Sequence, residues 1–113
     1  MELGDYYTHI ERLFDLYPEI DAVFSEDFIV MNAIKCANER GLRIPEDFKA
    51  IGYDGTIIAR MSYPSMTYIA QPIKELAQKL VDTLIQKING KKISGDIVLE
   101  DISLVRGDTT PPL

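Results

Sequence analysis

The sequence is poor in the residues that carry most covalent and metal chemistry. It has one cysteine, one histidine and no tryptophan in 113 residues. The single Cys36 permits no internal disulfide, and its place in a helical apolar pattern predicts a small buried side chain rather than a nucleophile. His9 has no Ser or Cys partner nearby in the sequence, so we expect it to be solvated. There is also no glycine-rich phosphate loop, Cys/His metal spacing or nucleophile elbow.

Long apolar runs and an excess of positive charge are lacking too. No stretch approaches the roughly 20 apolar residues of a membrane span. No cationic start precedes an apolar run, so we expect no signal peptide, no membrane partner and a cytoplasmic location. The formal net charge of -6 argues against a nucleic-acid surface in this segment, because phosphate contacts need clustered Lys and Arg.

The length, the apolar content and the spacing of apolar residues predict one α/β domain or part of one. The apolar share of 46% is enough for a modest core, and 113 residues make one domain or less. Apolar residues three and four apart predict amphipathic helices, and short apolar runs predict strands. The expected helices are 3–17, the segment after Asp27 up to Gly41, and 72–89, with one turn at 57–61. The expected strands are 22–24, 50–53, 66–70, 97–99 and 102–105.

This alternation predicts a mostly parallel sheet flanked by helices. We expect the strand at 22–24 to be buried, because it is continuously apolar. Pro72 is expected at the first helical position of its helix, and the tail 107–113 is expected to be poorly ordered. The stripe from Ile73 to Ile88 is too wide for an end element. We expect the chain on its own to bury this stripe against a second copy, which predicts a homodimer.

The segment from Gly41 to Asp54 organises the chain. Gly41 follows a helical pattern and suits the left-handed conformation that ends a helix. Pro45 blocks the helix from resuming, and a short apolar strand then runs into the turn at Asp54 and Gly55. Asp54 is therefore expected at the carboxyl end of a strand, where open α/β sheets bind ligands.

A series of motifs in a fixed order resembles one family. The motifs are Ala22 to Asp27, Gly41 to Pro45, Ile51 to Asp54, Pro64 to Thr67, Gln71-Pro72 and Arg106-Gly107-Asp108-Thr109. Each is weak alone, but their order and spacing resemble the lactose/galactose-repressor (LacI/GalR) family of bacterial transcription regulators. The resemblance runs through most of the chain after the first helix.

The resemblance implies a two-lobed effector-binding module similar to periplasmic sugar-binding proteins of type I. Residues 1–70 would belong to the second lobe, and 71–113 would be a crossing helix with returning strands. The amino-terminal helix-turn-helix and most of the first lobe are not in this chain. The implied partners are a sugar-like effector held between the lobes and operator DNA bound through that helix-turn-helix. No cofactor, metal or catalytic residue is implied.

Four polar residues are the candidate ligand contacts: Asp54, Gln71, Glu26 and Asp27. By resemblance Asp54 contacts the ligand, and its carboxylate is suited to accept two hydrogen bonds from adjacent sugar hydroxyls; the alternative is a turn Asp that bonds its own backbone. Glu26 matches a polar position that reaches the ligand in some members. Asp27 is either a contact or a helix N-cap. Gln71 is either a contact or an N-cap and hinge.

Two other readings of the chain stay open. One is a receiver-like phosphoryl-transfer domain, in which Mg²⁺ would be held by the three acids Glu26, Asp27 and Asp54. Such a domain would also need a Lys at the end of a later strand, and the strand at 66–70 has none before Ala70. A stand-alone solute-binding receptor for sugars is the other alternative. The favoured prediction is a ligand-sensing part of a transcription regulator that is not an enzyme.

Overall fold

The computed structural model describes residues 3–112. The helices in this range are α1 (Leu3–Leu16), α2 (Asp27–Glu39), α3 (Ile57–Met61) and α4 (Ile73–Ile88). The strands are β1 (Ala22–Glu26), β2 (Lys49–Asp54), β3 (Thr67–Ala70) and β4 (Ser103–Val105). The predicted strand at 97–99 is wrong, because residues 96–100 form no ladder. No helix in the described range is long and apolar enough to cross a membrane.

The predicted α/β class with a mostly parallel sheet is confirmed. The four strands of the described chain lie in the order β1-β2-β3-β4. β2 pairs in parallel with β1 and with β3. Glu26 is opposite Tyr53 and Asp54 is opposite Ala70, so the carboxyl ends of three strands meet at one edge.

The chain divides into two compact units. The first contains the residues up to Ala70 together with those from Leu104 onward, and the second contains Gln71–Ser103. The core of the first unit lies between the sheet and helices α1 and α2. Its buried apolar side chains are Ile10, Phe14, Val30, Ala33, Ile34, Cys36, Ala37, Phe48, Ala50, Ala59 and Met66. Cys36 is thus buried, as predicted.

The end of α2 follows from its sequence. Glu39 is its last residue, and Gly41 has φ 74 in the left-handed region, as predicted. The Leu42 amide then donates to the carbonyl of Ala37 at 3.0 Å, which satisfies a terminal acceptor of the helix.

The prediction that the first strand is buried is wrong. β1 is at an edge of the sheet, and its side chains alternate between exposed and half-buried positions. Phe24 is 61% exposed, and its ring meets the ring of Tyr53 edge-on with centroids 6.1 Å apart. Val23 packs against the core of the first unit, whereas Phe24 is on the opposite face of β1.

The expected disorder of the tail is also wrong for residues 107–112; Leu113 lies outside the described residues. Thr109 is fully buried between β2 and β3. Its hydroxyl donates to the carbonyl of Ala50 at 2.6 Å and accepts from the amide of Thr67 at 2.8 Å. Its carbonyl accepts from the amide of Ala50 at 2.9 Å. These bonds order a segment that the sequence marks as a loop.

Helix α4 has the apolar stripe that its periodicity predicts, but none of its residues is buried. The exposed large apolar side chains are Ile73, Leu76, Leu80, Val81, Leu84, Ile85 and Ile88. Pro72 is the N-cap residue rather than the first helical residue. That shift of one position is within the ordinary fraying of helix ends.

Candidate ligand site at the carboxyl edge of the sheet

Three of the four predicted site residues lie at the carboxyl edge of the first unit. Glu26 ends β1, Asp27 begins α2 directly after it, and Asp54 ends β2. The parallel register places Glu26 opposite Tyr53, one residue before Asp54. Since ligands of open α/β sheets bind outside the carboxyl ends of the strands, this edge is the candidate site.

Asp54 has an unusual backbone. Its φ of 122° lies in a region that non-glycine residues rarely adopt, and it is the one such residue in the described chain. The side chain is half-buried. Strained backbone of this kind persists only where the surrounding structure holds it, and it concentrates at functional sites. The conformation therefore strengthens Asp54 as the leading candidate.

The turn after Asp54 needs its glycine. Gly55 has φ 76, and a Cβ there would lie 3.0 Å from Cε2 of Tyr68 and 3.2 Å from Cα of Ala70. Both the backbone angle and the space therefore disfavour a side chain at this position. The chain consequently turns tightly against β3 before α3 begins.

Asp27 is buried beneath this turn. It is 1% exposed, and its Oδ2 accepts hydrogen bonds from the Thr56 amide and the Thr56 hydroxyl, both at 2.7 Å. Its Oδ1 is buried and has no hydrogen-bond partner in the described chain. A Cβ at Gly52 would lie 2.5 Å from that Oδ1, so the glycine makes room for the carboxylate.

The alternative role of Asp27 as an N-cap is wrong. Glu26 is the N-cap residue of α2, and no side chain there makes a capping hydrogen bond. Asp27 is the first residue of the helix, where its charge is favourably placed near the positive end of the helix dipole. Its hydrogen bonds go instead to a residue 29 positions away.

Glu26 and Gln71 are in different settings. Glu26 is exposed at the end of β1, on the side of the sheet that carries Phe24. Gln71 belongs to the second unit, where it is half-buried and its carbonyl accepts from the amide of Ile73 at 2.8 Å. Gln71 is not the N-cap of α4, since Pro72 has that position. That each of these residues contacts a ligand stays a prediction.

Thr56 is the residue of this edge that sequence reasoning missed. It is the N-cap of α3, but its hydroxyl makes no capping bond and bonds Asp27 instead. A threonine after an Asp-Gly turn is a weak local signal for a helix start, and nothing local indicates a buried acid as its partner. Within residues 3–112, no three His, Cys, Asp or Glu side chains are arranged to hold a metal ion.

Comparison with known proteins agrees with this architecture. A family model described as a periplasmic binding protein-like domain matches residues 3–110. The sucrose operon repressor of Streptococcus mutans is 39% identical over 90 residues, which are 79% of this chain and 28% of that protein.

Two solved structures are similar as well. The lac repressor dimer bound to operator and the anti-inducer ONPF has a TM-score of 0.81 at 28% identity, over 93% of this chain and 37% of that one. A periplasmic binding protein/LacI transcriptional regulator from Alkaliphilus metalliredigens, complexed with D-xylulofuranose, has a TM-score of 0.75 at 31% identity. That match covers 81% of this chain and 35% of the other.

The fold and the carboxyl-edge site define a periplasmic-binding-protein-like domain. More specifically, the chain belongs to the LacI/GalR family as part of its effector-binding domain, and the predicted family resemblance is confirmed. The chain spans about a third or less of the length of the curated relatives it matches.

Proposed function

We propose that this chain is the ligand-sensing part of a bacterial transcription regulator and that it binds a small sugar-like effector at the carboxyl edge of its sheet. The strained Asp54 at the ends of parallel strands carries the proposal. A carboxylate held there accepts hydrogen bonds from two adjacent hydroxyls, and its charge strengthens each bond. The kinship with a sucrose operon repressor and with a regulator complexed with D-xylulofuranose supports a sugar-like ligand.

The proposal assigns residues 1–70 to the second lobe of a two-lobed effector domain. Residues 71–113 then supply the crossing helix and the returning strands. The exposed apolar stripe of α4 supports this assignment, because a 16-residue helix with no buried side chain needs a further element to cover it. The relatives are more than three times as long as the matched region and have residues to provide such an element.

Regulation in this proposal is a shift between two arrangements of the lobes. The effector binds one arrangement more tightly, and that difference in affinity sets the population of the state that binds operator DNA. DNA is contacted through a helix-turn-helix outside the region described here. The protein therefore works by binding rather than by catalysis, and it works in the cytoplasm, where operator DNA is found.

Replacing Asp54 with asparagine tests the ligand site. Asparagine tolerates positive φ better than most residues, so the turn is retained while the charge is lost. We expect affinity to fall by about tenfold to a hundredfold, since a hydrogen bond to a charged group is worth about 1.5–3 kcal/mol. Isothermal titration of the protein as its gene encodes it, with sucrose, lactose, cellobiose and D-ribose as probes, measures this.

Asp47→Asn is the matched control for that experiment. Asp47 accepts from Nε and an Nη of Arg43, both at 2.7 Å, on the loop before β2 and away from the carboxyl edge. The affinity of the Asp47→Asn variant for the saccharide probes should equal that of the unmodified protein. Equal affinity in Asp54→Asn would refute the role of Asp54. Failure of every probe to bind the unmodified protein would count against a saccharide effector.

For the longer protein we place the homodimer contact at α2, α3 and the residues just after α3. The stripe of α4, through which the chain on its own is expected to dimerise, would there be covered by the further element proposed above. Tyr63 is 94% exposed and Met61 is 76% exposed. Both line a depression of about 380 Å³ that Met31 of α2 also borders. The depression has apolar and polar lining residues. A protruding aromatic side chain next to such a depression suits a two-fold contact, in which each copy fills the depression of the other. The dimeric lac repressor among the similar structures supports two copies.

Met61→Asp is expected to weaken this dimer by about tenfold or more, because it replaces an apolar contact with a charge that must lose water when the interface forms. Analytical ultracentrifugation at a series of protein concentrations gives the dissociation constant. Leu16→Asp is the control, since Leu16 is an exposed apolar residue of α1 in the same unit. If Met61→Asp and Leu16→Asp dimerise alike, the contact lies elsewhere. The stripe of α4 would then be the next surface to test.

A further inference from the structure

We propose that Asp27 is a positioning residue that holds Asp54 in its binding conformation, a role that rests on the ligand site proposed above. Asp27 is 1% exposed, and both of its hydrogen bonds go to Thr56, two residues after Asp54. Its carboxylate therefore acts on the turn that carries Asp54. It does not present itself to a ligand.

Asp54 needs such support because its backbone is strained. At φ 122 a residue with a side chain relaxes unless its neighbours hold it. On one side Asp54 is held by the pairing of β2 with β3, where it lies opposite Ala70. On the other side the chain passes through Gly55, which imposes no restraint of its own. Thr56 is the next residue, and its hydrogen bonds to Asp27 restrain the turn on this side.

The interaction between Asp27 and Thr56 is strong for a single pair of residues. The amide and the hydroxyl of Thr56 both donate to Oδ2 of Asp27 at 2.7 Å. Hydrogen bonds to an ionised acceptor are shorter and stronger than neutral ones. Because one of the two donors is the main-chain N–H, the pair restrains the backbone of the turn directly.

The place for this carboxylate is built into both neighbouring elements. Asp27 is in the first turn of α2, where the helix dipole favours a negative charge. Gly52 leaves the space, since a Cβ there would lie 2.5 Å from Oδ1 of Asp27. The segment Gly52 to Thr56 and Asp27 therefore act together. Gly52 leaves space for the Asp27 carboxylate, and that carboxylate binds Thr56 in the turn after Asp54.

The first test does not depend on any ligand. Hydrogen exchange measured by mass spectrometry on peptides that contain Thr56 reports whether its amide is protected. In the protein as its gene encodes it, we expect Asp27→Ala to speed this exchange by about tenfold or more, because a charge-assisted hydrogen bond is lost. Thr56→Val keeps the amide donor and should give a smaller increase. Thr56→Ser keeps both donors and should exchange like the unmodified protein.

The second test measures affinity for sucrose, lactose, cellobiose and D-ribose. Asp27→Ala should weaken the tightest of these by about tenfold or more, as expected for two lost hydrogen bonds to one charged group. Asp47→Ala should leave the affinity unchanged, although it removes an acid bonded to Arg43. Thr56→Ser should rescue what Thr56→Val loses.

A double-mutant cycle separates positioning from a general loss of stability. If Asp27 acts through Asp54, adding Asp27→Ala to Asp54→Asn should weaken binding by less than about threefold more. Fully additive losses would overturn the proposal, as would unchanged exchange at Thr56 in Asp27→Ala. If no saccharide binds the unmodified protein, the proposed ligand class is refuted, while the exchange experiment still decides whether Asp27 holds the turn.

Discussion

Thr109→Val is expected to destabilise the first unit by about 2–5 kcal/mol, because valine matches threonine in shape but leaves two buried polar partners without a bond. Those partners are the carbonyl of Ala50 and the amide of Thr67, which the Thr109 hydroxyl joins at 2.6 and 2.8 Å. The hydroxyl links β2 to β3 at the start of the ladder between them, where Thr67 is opposite Ile51. Urea unfolding followed by circular dichroism measures the loss as a lower midpoint.

Thr8→Val makes the same chemical change on an exposed position of α1. The free energy of unfolding of Thr8→Val should stay within about 0.5 kcal/mol of that of the unmodified protein, as is usual for surface substitutions. If Thr109→Val were as mild as Thr8→Val, the tail would not be a structural part of the sheet, and the ordering of residues 107–112 would have another cause.

Gly107→Ala is expected to cost about 2–4 kcal/mol, because the added Cβ has no room and meets backbone that cannot rotate away. The Cβ would lie 2.3 Å from the carbonyl oxygen of Ser65 and 2.7 Å from the carbonyl carbon of Met66. Moving the tail outward would also stretch the bond from the Gly107 amide to the Thr67 hydroxyl, now 2.9 Å. The same urea experiment measures this change.

Gly41→Ala is the control that separates the two ways in which replacing a glycine can cost stability. At Gly107 the added Cβ lacks space, whereas at Gly41 only the backbone angle is unfavourable. Nothing lies within 4 Å of a Cβ at Gly41, but its φ of 74 is unfavourable for alanine. We therefore expect about 1–2 kcal/mol from the left-handed conformation alone. A Gly107→Ala variant more stable than Gly41→Ala would contradict the crowding around the tail.

Part of the candidate site, the position of Asp54, could be predicted from the sequence. Asp54 was expected at a strand end because Gly52, Gly55 and the short apolar run are local signals, and the structure places it there. Its φ of 122 was not foreseen. Aspartate tolerates such angles only somewhat better than other residues, so the angle follows from the contacts of the turn and not from the residue type.

The exposure of two apolar surfaces could not be predicted from the sequence. The stripe of α4 and the apolar run at Phe24 both predict burial, but no residue of α4 is buried and Phe24 is exposed. Periodicity shows that a face is apolar, but it does not show what covers that face. What covers such a face depends on which elements come together in the tertiary structure.

Apart from the wrongly predicted strand at 97–99, the sequence by itself determined the order of helices and strands, the parallel class of the sheet and the position of Asp54. It could do so because periodicity, glycine and proline act over a few neighbouring residues. Only the tertiary structure decided that Asp27 accepts hydrogen bonds from Thr56 and that Thr109 joins two strands. Those pairs are 29 positions apart for Asp27 and Thr56 and 59 for Thr109 and Ala50. Hydrogen bonds across such separations depend on which strands become neighbours, and no local pattern encodes that choice.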